Sequence, residues 1–242
     1  MRWLLITVFV STLLVFAGVE LVYRCALSRT PFVAEGHECE PLTPLLTTGL
    51  WASLGEAGEP RMTPVYPWHV VWVIWTMSRS PVAPVSMPSG SYAAVTLGRV
   101  YLMETHVRTS AGRFHLEQIA LMIWVSRHRD VDRVLEELAG GHLQTIWRED
   151  LTALCQRVWH VTPMQMTPLQ VASLWTIPRG ARDYRTFCRL AELNLTRMRD
   201  NGAVTTTGFG EGAKFTPSRM EFDLLRYRPG RKVKLARSQT GR

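Results

Sequence analysis

From Trp3 to Tyr23 the chain reads WLLITVFVSTLLVFAGVELVY, with Glu20 as its only charge. At about 1.5 Å of rise per residue, a helix of this length crosses the roughly 30 Å hydrocarbon core of a bilayer. Glu20 lies close enough to the end to reach the interface, where Trp3 and Tyr23 are also favoured. No small-x-small site clearly follows, and Arg24-Cys25 lacks the small residue expected before a lipoprotein cysteine. The sequence therefore predicts an uncleaved transmembrane anchor over residues 1–24 rather than a signal peptide. Orientation stays open, because Arg2 on one side is answered by Arg24 and Arg29 on the other.

The rest of the 242 residues is enough for one large domain or two small ones, and at 46% apolar and 20% charged residues it can bury a core. A net charge of +8 suits an anionic membrane surface or a phosphate-bearing substrate. No nucleic-acid partner is expected, since no zinc spacing, RNA-binding signature or helix-turn-helix pattern stands out. The four cysteines, Cys25, Cys39, Cys155 and Cys188, form no C-x-x-C. HECE at His37 to Glu40 has metal-ligand residue types but no second cluster, and reads as a polar loop. A Cys155–Cys188 disulfide stays open for an extracytoplasmic domain.

Residues 25–48 contain Pro31, Pro41 and Pro44 and read as a linker. Within the proline-rich stretch 60–91, WHVVWVIWTM (Trp68 to Met77) is too short to span a bilayer. Its first reading is a buried helix, its second a patch dipping into the membrane interface. From Gly112 onward the periodicity is helical. Leu116, Ile119, Ala120, Ile123 and Trp124 form one stripe. Val131 to Leu138 is a short helix ended by Gly140-Gly141, and Asp150 to Trp159 a third helix. TPLQ at Thr167 to Gln170 has the form of a capping box, and a last long helix runs from Asp183 to Asp200. The expected class is mainly α, with a helical domain over 49–210 and a solvated basic tail over 211–242.

This order of helices behind an amino-terminal anchor resembles the peptidoglycan glycosyltransferase domain of glycosyltransferase family 51, found in monofunctional transglycosylases and class A penicillin-binding proteins. RHRDVDRVLEELAG (Arg127 to Gly140) is similar to the family's K-x-x-I-L-E-x-Y-x-N helix, with Val134, Leu135 and Glu136 in place. CQRVWHVTPMQMTPLQVA tracks its Y-F-G-K segment and the helix that follows, and ELNLTRMRDNGAV its R-N-L-V-L-x-x-M-x-x-x-G helix. The resemblance implies a lysozyme-like helical domain outside the bacterial inner (cytoplasmic) membrane. It also implies lipid II or a related undecaprenyl-linked glycan as substrate, and cell-wall synthesis proteins as partners. A divalent metal is implied by the family alone, since the residues identify no cofactor.

The catalytic motifs depart further. For the family's E-D-x-x-F-x-x-H-x-G, the chain has GEAGEPRMTPVYPW. Glu59 is the candidate general base by its spacing to Ser91, Glu56 is the fallback, and Pro60 replaces the aspartate. G-G-S-T-I-T-Q-Q becomes SGSYAAVT, which keeps Ser89, Gly90 and Ser91 as candidate substrate contacts. R-K-x-x-E corresponds either to Arg113 and Glu117, or, with the downstream helix in register, to Phe114, His115 and Gln118. A glutamine there accepts a hydrogen bond but is no acid or base. Polymerisation needs a carboxylate to take the acceptor hydroxyl's proton and cations to meet the developing diphosphate charge. Arg61, Arg99, Arg113, His115 and Arg127 are the candidate phosphate contacts.

Overall fold

The computed structural model describes residues 2–29, 41–80, 87–104, 110–202 and 217–226. Among the described residues there are ten α-helices and no strand, so the mainly α expectation holds. The first helix, α1 (Arg2–Ser28), carries the anchor sequence and runs past residue 24. Its Phe9–Ser28 part is long and apolar enough to cross a membrane, and only 6% of that part is buried by protein. HECE, Cys39 included, lies outside the described residues.

The packed domain begins earlier than residue 49. Thr43 caps α2 (Pro44–Leu54) by accepting from the Leu46 amide at 3.3 Å, and Leu46, Leu50 and Trp51 are buried. This helix packs on α8 (Pro168–Leu174) and α9 (Tyr184–Asp200). At Gly49 an added Cβ would lie 2.2 Å from Val171 Cγ1, so the helices meet there at a distance only glycine permits. The most extensive helix pair is α4 (Ser91–Glu104) with α5 (Ala111–His128).

Helix α6 (Val131–His142) opens on Asp130, which accepts from the Arg133 amide at 2.8 Å. Gly140-Gly141 does not end it. Both glycines are buried, neither has a positive φ, and the chain continues into a π-helical turn over Leu143–Trp147. Arg148, left-handed at φ 59°, closes that turn. The starts of α7 (Leu151–Trp159), α8 and α9 fall where the sequence predicts, on the side-chain caps Asp150, Thr167 and Asp183. Each such cap contributes about 1 kcal/mol.

Part of the stretch assigned to a tail is core. Helix α10 (Arg219–Arg226) buries Phe222 and Leu225. The Trp147 indole donates to the Leu225 carbonyl at 2.8 Å, Arg157 to the Leu224 carbonyl at 2.7 Å, and Trp159 to Glu221 at 2.7 Å. Cation richness hid this helix, because its anchors lie on α7 and the turn before it.

Helix α3 (Pro67–Arg79) overturns its first reading. Only Pro67 of it is buried, while Trp68, Trp72, Ile74 and Trp75 are exposed at 41%, 66%, 59% and 49%. It is a helix, as expected, but it lies on the outside of the domain along α1. An apolar face of this extent on a protein surface marks an interaction site.

Candidate functional site

The amino-terminal end of α4 is the first place where sequence candidates meet. Gly90, at φ +86°, makes the turn into the helix, and a Cβ there would fall 2.6 Å from Met62 Sδ. Ser89 accepts from the Thr63 amide through its carbonyl, and the Ser91 hydroxyl donates to the Pro88 carbonyl at 2.5 Å. The carboxylate brought to this turn is Glu56, which accepts from the Tyr92 amide at 2.9 Å and is only 8% exposed. A negative charge here is stabilised by the unpaired amides and the dipole of α4. Glu56, the fallback, is therefore the glutamate that meets the Ser-Gly-Ser turn.

Glu59 is exposed and lines another hollow, with Thr47, Thr48, Pro60, Asp132 and Glu136. The adjoining turn is pinned by the Gly58 amide donating to Asn201 at 2.8 Å. Arg61 and Arg99 are exposed.

Helix α5 runs without a break from its Ser110 cap, so both register readings occupy one regular helix. Arg113 donates from Nε to Glu117 at 2.6 Å, and Glu117 is 3% exposed while Arg113 is half-open. This pair faces Leu21 and Cys25 of α1 and Arg29 just beyond its end. Gln118 points elsewhere and donates to the Val95 carbonyl of α4 at 3.3 Å. His115 is exposed, edge-on to Phe114. The geometry thus makes Glu117 a buried ion-pair partner and Gln118 a tie between helices.

A buried carboxylate that the sequence did not single out is Glu137, one residue from the matched Glu136. It is wholly buried, accepts from the Tyr101 hydroxyl and from Arg133 Nε at 2.7 Å, and faces Arg129 at 3.8 Å. Arg133 and Glu137 stand four apart on α6, the spacing that would have flagged them. Burial also pushes the His142 imidazole down to about 4 and the Cys155 thiol up to about 12. Cys155 and Cys188 are free thiols, so no disulfide joins them.

The largest departure from the sequence picture is a groove of about 440 Å³ between α1, α3 and α5. Its walls include Val15, Gly18 and Val22 of α1, Val71 and Ile74 of α3, and Ile123 of α5. Among the described residues Tyr23 is its only polar lining side chain. One turn beyond Ile123, the exposed Arg127 guanidinium lies 5.1 Å from the Tyr66 ring and 6.0 Å from the Tyr23 ring. Of the candidate cations, Arg127 alone is fixed at a groove mouth by aromatic faces. Only the contacts between helices reveal it.

Among the described residues no three His, Cys, Asp or Glu side chains come together as a metal-ligand set. No protein-family model matches the chain, and no curated protein matches it.

Proposed function

We propose that this chain is a membrane-anchored, glycosyltransferase-like protein with a lysozyme-like helical domain, which holds a lipid-linked glycan at the bacterial inner membrane without polymerising it. The observation that carries the binding form is the engagement of its carboxylates. A general base must reach the acceptor hydroxyl within hydrogen-bond distance. Glu56 is taken up by the Tyr92 amide and Glu117 by Arg113, both buried, while Glu59 lines a different hollow from either motif partner. The polymerising form, with Glu59 as base, is the second reading, supported by the exposure of that carboxylate.

Membrane placement rests on depth. Phe16 of α1 meets Trp68 of α3 with ring centroids 5.8 Å apart, and Val15 and Val19 line one hollow with Trp72 and Trp75. These α1 positions lie four to eight residues before Tyr23, or about 6–12 Å along the helix. If Tyr23 sits at the interface, these contacts set α3 against the hydrocarbon just below the headgroup level, the level that tryptophan favours. On the family resemblance the domain faces the periplasm, with the glycan and cell-wall synthesis proteins as its partners.

The detergent-solubilised full chain should bind lipid II and form no polymer above a no-protein control. Polymer that vanishes in Glu59→Gln would restore the enzyme reading. Neither binding nor polymer would end both.

A further inference from the structure

We propose that the groove between α1, α3 and α5 binds one acyl chain of an anionic glycerophospholipid, with Arg127 meeting its phosphate at the mouth. The proposal uses the membrane placement argued above and does not depend on glycan binding. Protein interiors are packed nearly as densely as organic crystals, so an apolar slot of about 440 Å³ is not left empty beside liquid hydrocarbon. Its size falls within the ~300–1,000 Å³ of ordinary ligand sites.

Length identifies the occupant. Below the interface at Tyr23 the α1 wall runs down to Val15, and eight steps at about 1.5 Å make roughly 12 Å. That is most of the depth of a single leaflet, which is half of the ~30 Å hydrocarbon core. The greater part of an acyl chain running down one leaflet therefore fits along it.

Charge identifies the head. Arg127 follows Ile123 by four residues, so it stands on the same face of α5 as a residue lining the groove. Among the described residues it forms no ion pair with a carboxylate, and the rings of Tyr23 and Tyr66 hold it near the α1 end that faces water. An arginine in this state offers a fork of donors matched to a phosphate.

Gly18 gives the test its means. It lines the groove, and a Cβ added there meets nothing within 4 Å, so a larger side chain enters the slot without displacing the fold. The full chain is embedded in nanodiscs of mixed phosphatidylglycerol and phosphatidylethanolamine, with a polyprenyl phosphate added in a parallel arm. Retained lipid is counted by native mass spectrometry. The wild type should keep one phosphatidylglycerol, and Gly18→Leu should lower its retention by about tenfold. Arg127→Gln should reduce the preference for phosphatidylglycerol over phosphatidylethanolamine by about fivefold. Both variants should still float with vesicles.

A wild type that floats but keeps no phospholipid overturns the site alone. So does preferential retention of the polyprenyl phosphate, or unchanged retention in both variants. A wild type that does not float overturns the membrane placement as well.

Discussion

Two groups of tryptophans divide the molecule. Trp51, Trp147 and Trp175 are wholly buried, whereas Trp68, Trp72 and Trp75 on α3 are 41%, 66% and 49% exposed. The same side chain is core in one region and outer surface in the other. A buried aromatic is secured by protein neighbours, and each such ring holds helices together. Those of α3 rest partly against α1, with Trp68 stacked on Tyr66 and Arg79 over Trp75, and on our reading the bilayer takes their open side. On that reading the domain has two solvents and a separate rule of burial for each.

The strongest test of this contrast is a pair of truncations. Trp175→Ala should lose about 3–5 kcal/mol of stability, and Trp72→Ala should stay within about 0.5 kcal/mol. Denaturant unfolding in one detergent, followed by circular dichroism, measures both. Equal losses would erase the division.

A smaller effect is expected at the buried Glu137. Tyr101→Phe leaves a carboxylate oxygen short of a donor in the core, which should destabilise by about 1–3 kcal/mol. The same unfolding experiment should detect it, and a neutral result would mean that water reaches that carboxylate.

His142 sharpens the picture through pH. Burial holds its imidazole down to about 4 in the folded chain, against an ordinary 6.5. As pH falls, the unfolded chain takes up this proton first. Its contribution is therefore whole above pH 6.5 and drains away toward pH 4. A pH series of thermal melts should show that slope, and His142→Gln should flatten it.

The mildest test separates two thiols. Cys25 is exposed on α1, while burial pushes Cys155 up to about 12 and its thiol donates to Met166 Sδ at 3.3 Å. A maleimide at neutral pH should label Cys25 in the native protein and leave Cys155 unmodified until unfolding. Equal labelling would place Cys155 outside the core.

Local signals were the ones the sequence carried well. Asp150, Thr167 and Asp183 cap their own helices, so a few adjacent residues suffice to locate α7, α8 and α9. The apolar run of α3 was legible as a helix but not as an outer one, because hydropathy does not say which solvent covers a face. Glu56 and Glu59 stand three apart around Gly58 (φ +73°), and spacing could not tell which one turns inward. At 113–118 both readings contained real contacts, since Arg113–Glu117 looks toward α1 and Gln118 toward α4. Arg127 was named as a cation, but its groove is made by three helices distant in sequence.

The docking of α10 has a consequence in time. The indole of Trp147 finds its acceptor at Leu225, 78 residues later. At about 5–20 residues per second, a ribosome needs roughly 4–16 s to supply it. Helices α7, α8 and α9 are made during that interval, and Trp147 and Arg157 still lack these carbonyl partners when they are complete. The corner formed by Trp147, Arg157 and Trp159 is therefore completed only when α10 emerges, late in synthesis.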